Sequence, residues 1–94
     1  MNRPAIEVTS TPCVGLGFRL QWEPAQKAHV LLYPEGMIKL NTSAGEIMKR
    51  CDGKATIAEI TASLERDFAT GGLSEDVMQF VQMAVEKTWL TIRT

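Results

Sequence analysis

The chain has 94 residues, 45% of them apolar and 22% charged, with a formal net charge of −1. That is the composition of an ordinary globular protein, in a length that fits one domain with a modest core. No apolar run approaches the about 20 residues of a membrane span, and no charged stretch leads into a long apolar one near the start, so neither a membrane anchor nor a secretory signal is expected.

Cys13 and Cys51 stand in unrelated contexts, and His29 is the single histidine. That argues against a zinc site and points to reduced thiols in a cytoplasmic protein. The near-zero charge conceals a gradient: residues 1–55 sum to +2 and residues 56–94 to −3. The second part of the chain is acidic.

Residues 1–17 are small or polar and include Pro4, Pro12, Gly15 and Gly17. They read as an irregular N-terminal segment ahead of a single domain over residues 18–94. Phe18-Arg19-Leu20-Gln21-Trp22 alternates apolar and polar residues, the period of a half-buried strand with Phe18, Leu20 and Trp22 facing the core. Residues 23–27 break the pattern as a turn, and residues 28–33 resume it. Pro34-Glu35-Gly36 then turns the chain, with Pro34 presetting φ and Gly36 relieving steric conflict. A short third strand follows at 37–40. Its Lys39 is the kind of charge that keeps a sheet edge soluble while leaving it open to pairing. A meander this small needs a helical layer over its apolar face.

The rest of the sequence supplies that layer. Asn41, Thr42 and Ser43 are all candidate N-caps, Ser43 with Glu46 matching a capping box, and Ala44, Ile47, Met48 and Cys51 fall on one helical face. Gly45 inside that helix costs about 1 kcal/mol relative to alanine, which points to a close neighbour. Asp52-Gly53 stops it. Thr56 with Glu59 repeats the capping pattern, and Ile57, Ile60, Leu64 and Phe68 form the stripe of a second helix reaching about residue 69. Gly71-Gly72 terminates it.

Ser74 is expected to cap a third helix, with Glu75 and Asp76 complementing the positive end of its dipole. Val77, Phe80, Val81, Ala84 and Val85 form its main face, and Met78 and Met83 widen that face beyond one stripe. Such a helix either lies between two neighbours or lends part of its surface to a partner. Trp89 and Leu90 close the helical region. The predicted fold class is α+β, a three-stranded antiparallel meander followed by three helices, compatible with a winged helix-turn-helix.

Catalysis finds little support. His29 sits within a strand pattern, no serine or cysteine stands in a nucleophile's context, and Gly71-Gly72 lacks the lysine and spacing of a phosphate-binding loop. The phosphopantetheine attachment pattern of a carrier protein is missing too. Its nearest echo reads Leu73-Ser74-Glu75. A winged-helix reader of nucleic acid needs cations on its recognition helix, whereas the third helix carries Glu75, Asp76 and Glu86 against Lys87. Peptide or protein recognition is left: an open strand edge offers unpaired amides and carbonyls, and an apolar groove beside it selects side chains.

Phe18-Arg19-Leu20-Gln21-Trp22-Glu23, Leu31-Leu32-Tyr33-Pro34-Glu35-Gly36, Leu40-Asn41 with Ser43-Ala44, Asp52-Gly53, Asp76-Val77 and Trp89 occur in that order. The chain thereby resembles the PqqD family from about residue 16 to 90, with the Leu-Leu-Tyr-Pro-Glu-Gly block as the specific part. The resemblance implies a peptide chaperone of pyrroloquinoline quinone (PQQ) biosynthesis. Such a protein binds the ribosomal precursor peptide PqqA and presents it to the radical S-adenosylmethionine enzyme PqqE, the module being known as a RiPP recognition element.

It further implies that the precursor pairs with the third strand, here Met37, Ile38, Lys39 and Leu40, and packs against the third helix through Val77, Phe80, Val81 and Ala84. No catalytic residue, metal or cofactor of the chain's own is implied, since the cluster chemistry belongs to the partner enzyme. Two positions depart from the family pattern: Thr88 stands where glycine is expected and Gly45 where alanine is. The same open edge offers itself to a second copy, so either a monomer is expected or a homodimer that competes with peptide, with domain swapping through the short connection at 40–43 as one route to it. Ile38→Pro is the expected probe of the edge.

Overall fold

A computed structural model describes residues 5–93. The elements, in chain order, are β1 (Thr11–Val14), β2 (Arg19–Glu23), β3 (Ala28–Tyr33), β4 (Gly36–Lys39), α1 (Thr42–Met48), α2 (Ile57–Asp67), α3 (Ser74–Glu86) and β5 (Leu90–Arg93). The expected α+β architecture is present, with the meander β2-β3-β4 leading into three helices. No helix among the described residues is long and apolar enough to cross a membrane.

Alternation sets the two faces of the meander. Leu20, Leu31 and Ile38 are in register across its three strands, and directly opposed residues share a face. This inward face meets the helices, and Leu31 is fully buried. Helix α1 buries Ala44, Gly45, Ile47 and Met48, α2 buries Ile57, Ile60, Thr61 and Leu64, and α3 buries Val77, Val81 and Ala84. With Leu40, Cys51 and Leu90, the apolar side chains among these make one contiguous core.

Gly45 finds the close neighbour its position suggested. A Cβ there would lie 3.0 Å from His29 Nδ1 and 3.2 Å from His29 Cβ. The missing side chain lets α1 settle onto β3.

Capping follows the sequence in part. Thr56 and Glu59 form the full reciprocal box, with Thr56 N donating to Glu59 Oε1 at 2.8 Å and Glu59 N donating to Thr56 Oγ1 at 3.1 Å. Helix α1, however, is capped by Asn41, whose Oδ1 accepts from the Ala44 amide at 2.8 Å, so the helix starts ahead of Ser43. Ser74 lies inside α3, and the preceding Leu73 amide is held by Glu65 Oε2 at 2.9 Å. A carboxylate on α2 thus fixes the entry to α3, where a local serine cap was expected.

Two expectations are corrected. Part of the segment 1–17 is regular: β1 pairs antiparallel with β5, Thr11 opposite Arg93 and Val14 opposite Leu90. Gly15 extends the junction, donating its amide to the Trp89 carbonyl at 2.8 Å and lying so close to the Thr88 carbonyl that a Cβ there would collide with it. The expected irregularity at 1–4 lies outside the described residues. Trp22, in turn, is 51% exposed rather than in the core. It shares the inward face but stands at the far end of β2, edge-on to His29 with ring centroids 5.1 Å apart, beside a cavity at the start of α1.

Candidate functional site

Strand β4 is an edge. Among the described residues only β3 pairs with it, and the backbone groups it turns outward follow from the ladder. The Leu40 amide donates to the His29 carbonyl at 3.0 Å. With Ile38 opposite Leu31 and Gly36 opposite Tyr33, antiparallel alternation makes these the bonded pairs. Met37 and Lys39 therefore direct their N–H and C=O groups away from the sheet.

Beside that edge runs a groove of about 430 Å³, bounded by Ile38, Lys39 and Leu40 on the strand, Ser43, Ala44 and Ile47 on α1, Asp76, Phe80 and Met83 on α3, and Trp89 after it. Leu40 and Ile47 are buried, while Ile38, Phe80, Met83 and Trp89 are half-buried. These four carry the apolar surface that a guest can reach. Lys87 Nζ lies 5.8 Å from the Trp89 ring centroid and covers its outer face.

The eight residues expected from the sequence separate into three groups. Ile38, Lys39, Leu40 and Phe80 line the groove. Met37 contributes an outward backbone and a side chain on the opposite sheet face, 48% exposed. Val77, Val81 and Ala84 turn the other way: they are 2%, 0% and 0% exposed and belong to the core. Val81 and Ala84 back the groove wall and present no side chain to it, and Val77 faces the adjoining space near Leu64 and Leu73. The groove-facing stripe of α3 is instead Asp76, Phe80 and Met83, spaced by four and three residues. Met83 was visible as a widening of the apolar face, whereas Asp76, Trp89 and the α1 contributors carried no separate signal.

An ionic brace holds α1, and with it the groove floor, against α2. Arg50 Nη1 donates to both the Glu46 carbonyl and Glu46 Oε1 at 2.8 Å, Nε donates to Ser63 Oγ at 3.0 Å, and Nη2 donates to Asp67 Oδ2 at 2.7 Å. The guanidinium hydrogen bonds hold both the Glu46 and Asp67 carboxyls below their ordinary range. Cys51, buried beneath α1, has its thiol pushed up to about 12, chiefly by desolvation, and donates to the Ile47 carbonyl at 3.2 Å. It is a core residue with no nucleophilic character.

Comparison with known proteins places this arrangement. The family model for coenzyme PQQ synthesis protein D (PqqD) matches residues 28–90. The PqqA binding protein of Stutzerimonas stutzeri is 47% identical over 89 residues, covering 94% of this chain and 97% of its own. That of Azotobacter vinelandii is 50% identical over 82 residues, covering 86% and 89%. Among solved structures, the PqqD truncation of Methylobacterium extorquens PqqCD superposes with a TM-score of 0.76 at 25% identity, covering 93% of this chain and 95% of that one. It is described as a functional, stand-alone RiPP recognition element. On both the sequence match and the shared fold, the chain belongs to the PqqD family.

Proposed function

We propose that this protein is a peptide chaperone of PQQ biosynthesis that takes up the precursor peptide PqqA as an added strand on β4 and presents it to the radical S-adenosylmethionine enzyme PqqE. The relatives' description as PqqA binding proteins supports the guest. The observation that carries the mode of binding is the β4 edge, whose Met37 and Lys39 amides and carbonyls face outward beside a groove walled by Phe80 and Met83. A peptide laid there gains ladder hydrogen bonds from its backbone and apolar contact from alternate side chains. Ordering the peptide once on the protein raises its effective concentration at the enzyme. The chain itself supplies binding and orientation, and no catalytic role.

We further read the meander and the α2–α3 pair as a winged helix-turn-helix used for peptide rather than nucleic acid, working in the cytoplasm where a ribosomal precursor is made. The exposed side of α3 carries Glu75, Asp76 and Glu86, a charge that repels phosphates, and affinity for PqqA should fall far less steeply with salt than that of a nucleic-acid reader.

Titration of isotopically labelled protein with PqqA tests the reading. Chemical-shift changes are expected at residues 37–40, at Asp76, Phe80 and Met83, and at the Trp89 indole. Changes confined to β2, or none at high micromolar peptide, overturn it.

A further inference from the structure

The groove beside β4 does not end at the start of α1. Past Ser43 and Asp76 it opens into a second hollow of about 360 Å³, between α1, the end of α2 and the start of α3. Ile47, Leu64, Leu73 and Val77 form its floor, and Phe68 stands at its rim with 52% of its surface exposed. Ser43, Ile47 and Asp76 border both hollows, which adjoin there. The Asp76 carboxylate, at their junction, has no ion-pair or hydrogen-bond partner among the described residues.

We propose that the second hollow receives an apolar anchor side chain of the same guest peptide, from the part that continues beyond its β-strand portion, and that Asp76 pairs with a cationic side chain between the two contact regions. This inference rests on the reading that a peptide pairs with β4. Continuity names the occupant. A chain that leaves the strand edge past Leu40 and Asn41 runs directly over Ser43 and Asp76 into the hollow. The chemistry agrees, because the floor is aliphatic, the rim is aromatic, and one carboxylate sits at the passage. A peptide with a basic residue flanked by apolar ones fits this order of surfaces. Phe68 then acts as an anchor wall, covered only when the peptide is bound.

The test is binding of fluorescently labelled PqqA, and of a nested set of PqqA peptides shortened from either end, to the full chain and to three variants. Phe68→Ala, at an exposed position that the fold does not need, is expected to weaken full-length PqqA about tenfold. It should have no effect on peptides that lack the anchor segment. Asp76→Asn is expected to weaken full-length PqqA about threefold and to reduce the salt dependence of what binding remains. Lys39→Pro, which removes an outward donor from the edge, should weaken every peptide.

If Lys39→Pro weakens binding while Phe68→Ala and Asp76→Asn bind every peptide normally, the second anchor is wrong and the strand reading stands. If Phe68→Ala spares PqqA but weakens capture of PqqE by the loaded protein, the hollow belongs to the enzyme and the proposal is overturned. If Lys39→Pro binds every peptide normally, the strand reading falls and the second anchor falls with it.

Discussion

Thr88 shows how one residue can sit against its own backbone preference. It ends α3 with φ +64°, its amide bonded to the Val85 carbonyl at 3.1 Å and the following Trp89 amide to the Ala84 carbonyl at 2.9 Å. That left-handed position is where helices commonly place glycine, and the resemblance to the family led to the same expectation. A β-branched side chain there is strained. Thr88→Gly is therefore expected to stabilise the domain by about 1 kcal/mol, raising the thermal midpoint by about 4–8 °C. Calorimetry checks it.

Arg50 is the opposite case, a side chain at 15% exposure that satisfies a helix-end carbonyl, a hydroxyl and two carboxylates together. Arg50→Ala should cost about 2 kcal/mol in urea unfolding. Because Glu46 and Asp67 titrate lower in the folded protein than their ordinary values of 4.5 and 3.8, their contribution is fully present above those values. It is lost as pH falls through the depressed folded ones. The wild type should thus lose stability below about pH 4.5, and Arg50→Ala should lose less across the same window.

At the scale of elements, β4 changes the choice of probe. Ile38→Pro is what the sequence suggests for testing the edge, but Ile38 spends its amide on Leu31 within the hairpin. That substitution is expected to damage the β3–β4 ladder and lower stability. Lys39→Pro removes an outward donor instead, so it should weaken PqqA binding while amide exchange across β3 stays slow. Loss of β3 protection in Lys39→Pro would show the edge to be assigned the wrong way round.

The meander and the three helices were legible because each has its own period, 2.0 for Phe18, Leu20 and Trp22 within one strand, and about 3.6 for Ile57, Ile60 and Leu64. The β1–β5 ladder was not. Thr11-Pro12-Cys13-Val14 is too short for a period, Pro12 reads as a breaker, and its partner lies at the other end of the sequence. The site was legible by half for a related reason. Periodicity groups Val77, Phe80, Val81 and Ala84 on one broad face of α3, but only the positions of β4 and α1 decide that Phe80 turns outward while Val81 and Ala84 turn inward.

On the scale of the whole molecule, under the proposed mode of binding the β4 edge serves every partner that pairs with it by backbone. A second copy of the chain and the precursor peptide both require Met37 and Lys39 to face outward, and they cannot use the strand together. Any self-association through β4 is therefore expected to weaken as PqqA is added, with the sedimentation coefficient falling toward the monomer's despite the added mass. A dimer that persists at saturating peptide would place its interface elsewhere.

The pairing of β1 with β5 has a consequence for how the chain reaches this state. Thr11 hydrogen-bonds the Arg93 carbonyl across 82 residues of sequence, and contacts so remote carry the largest loop-closure cost in folding. The β3–β4 hairpin and α1, in contrast, assemble from neighbours. During synthesis β1 emerges first yet stays unpaired until β5 is made, while the β3–β4 hairpin can already form. The β1–β5 ladder is therefore expected to close last, fastening a domain whose β3–β4 hairpin has already formed.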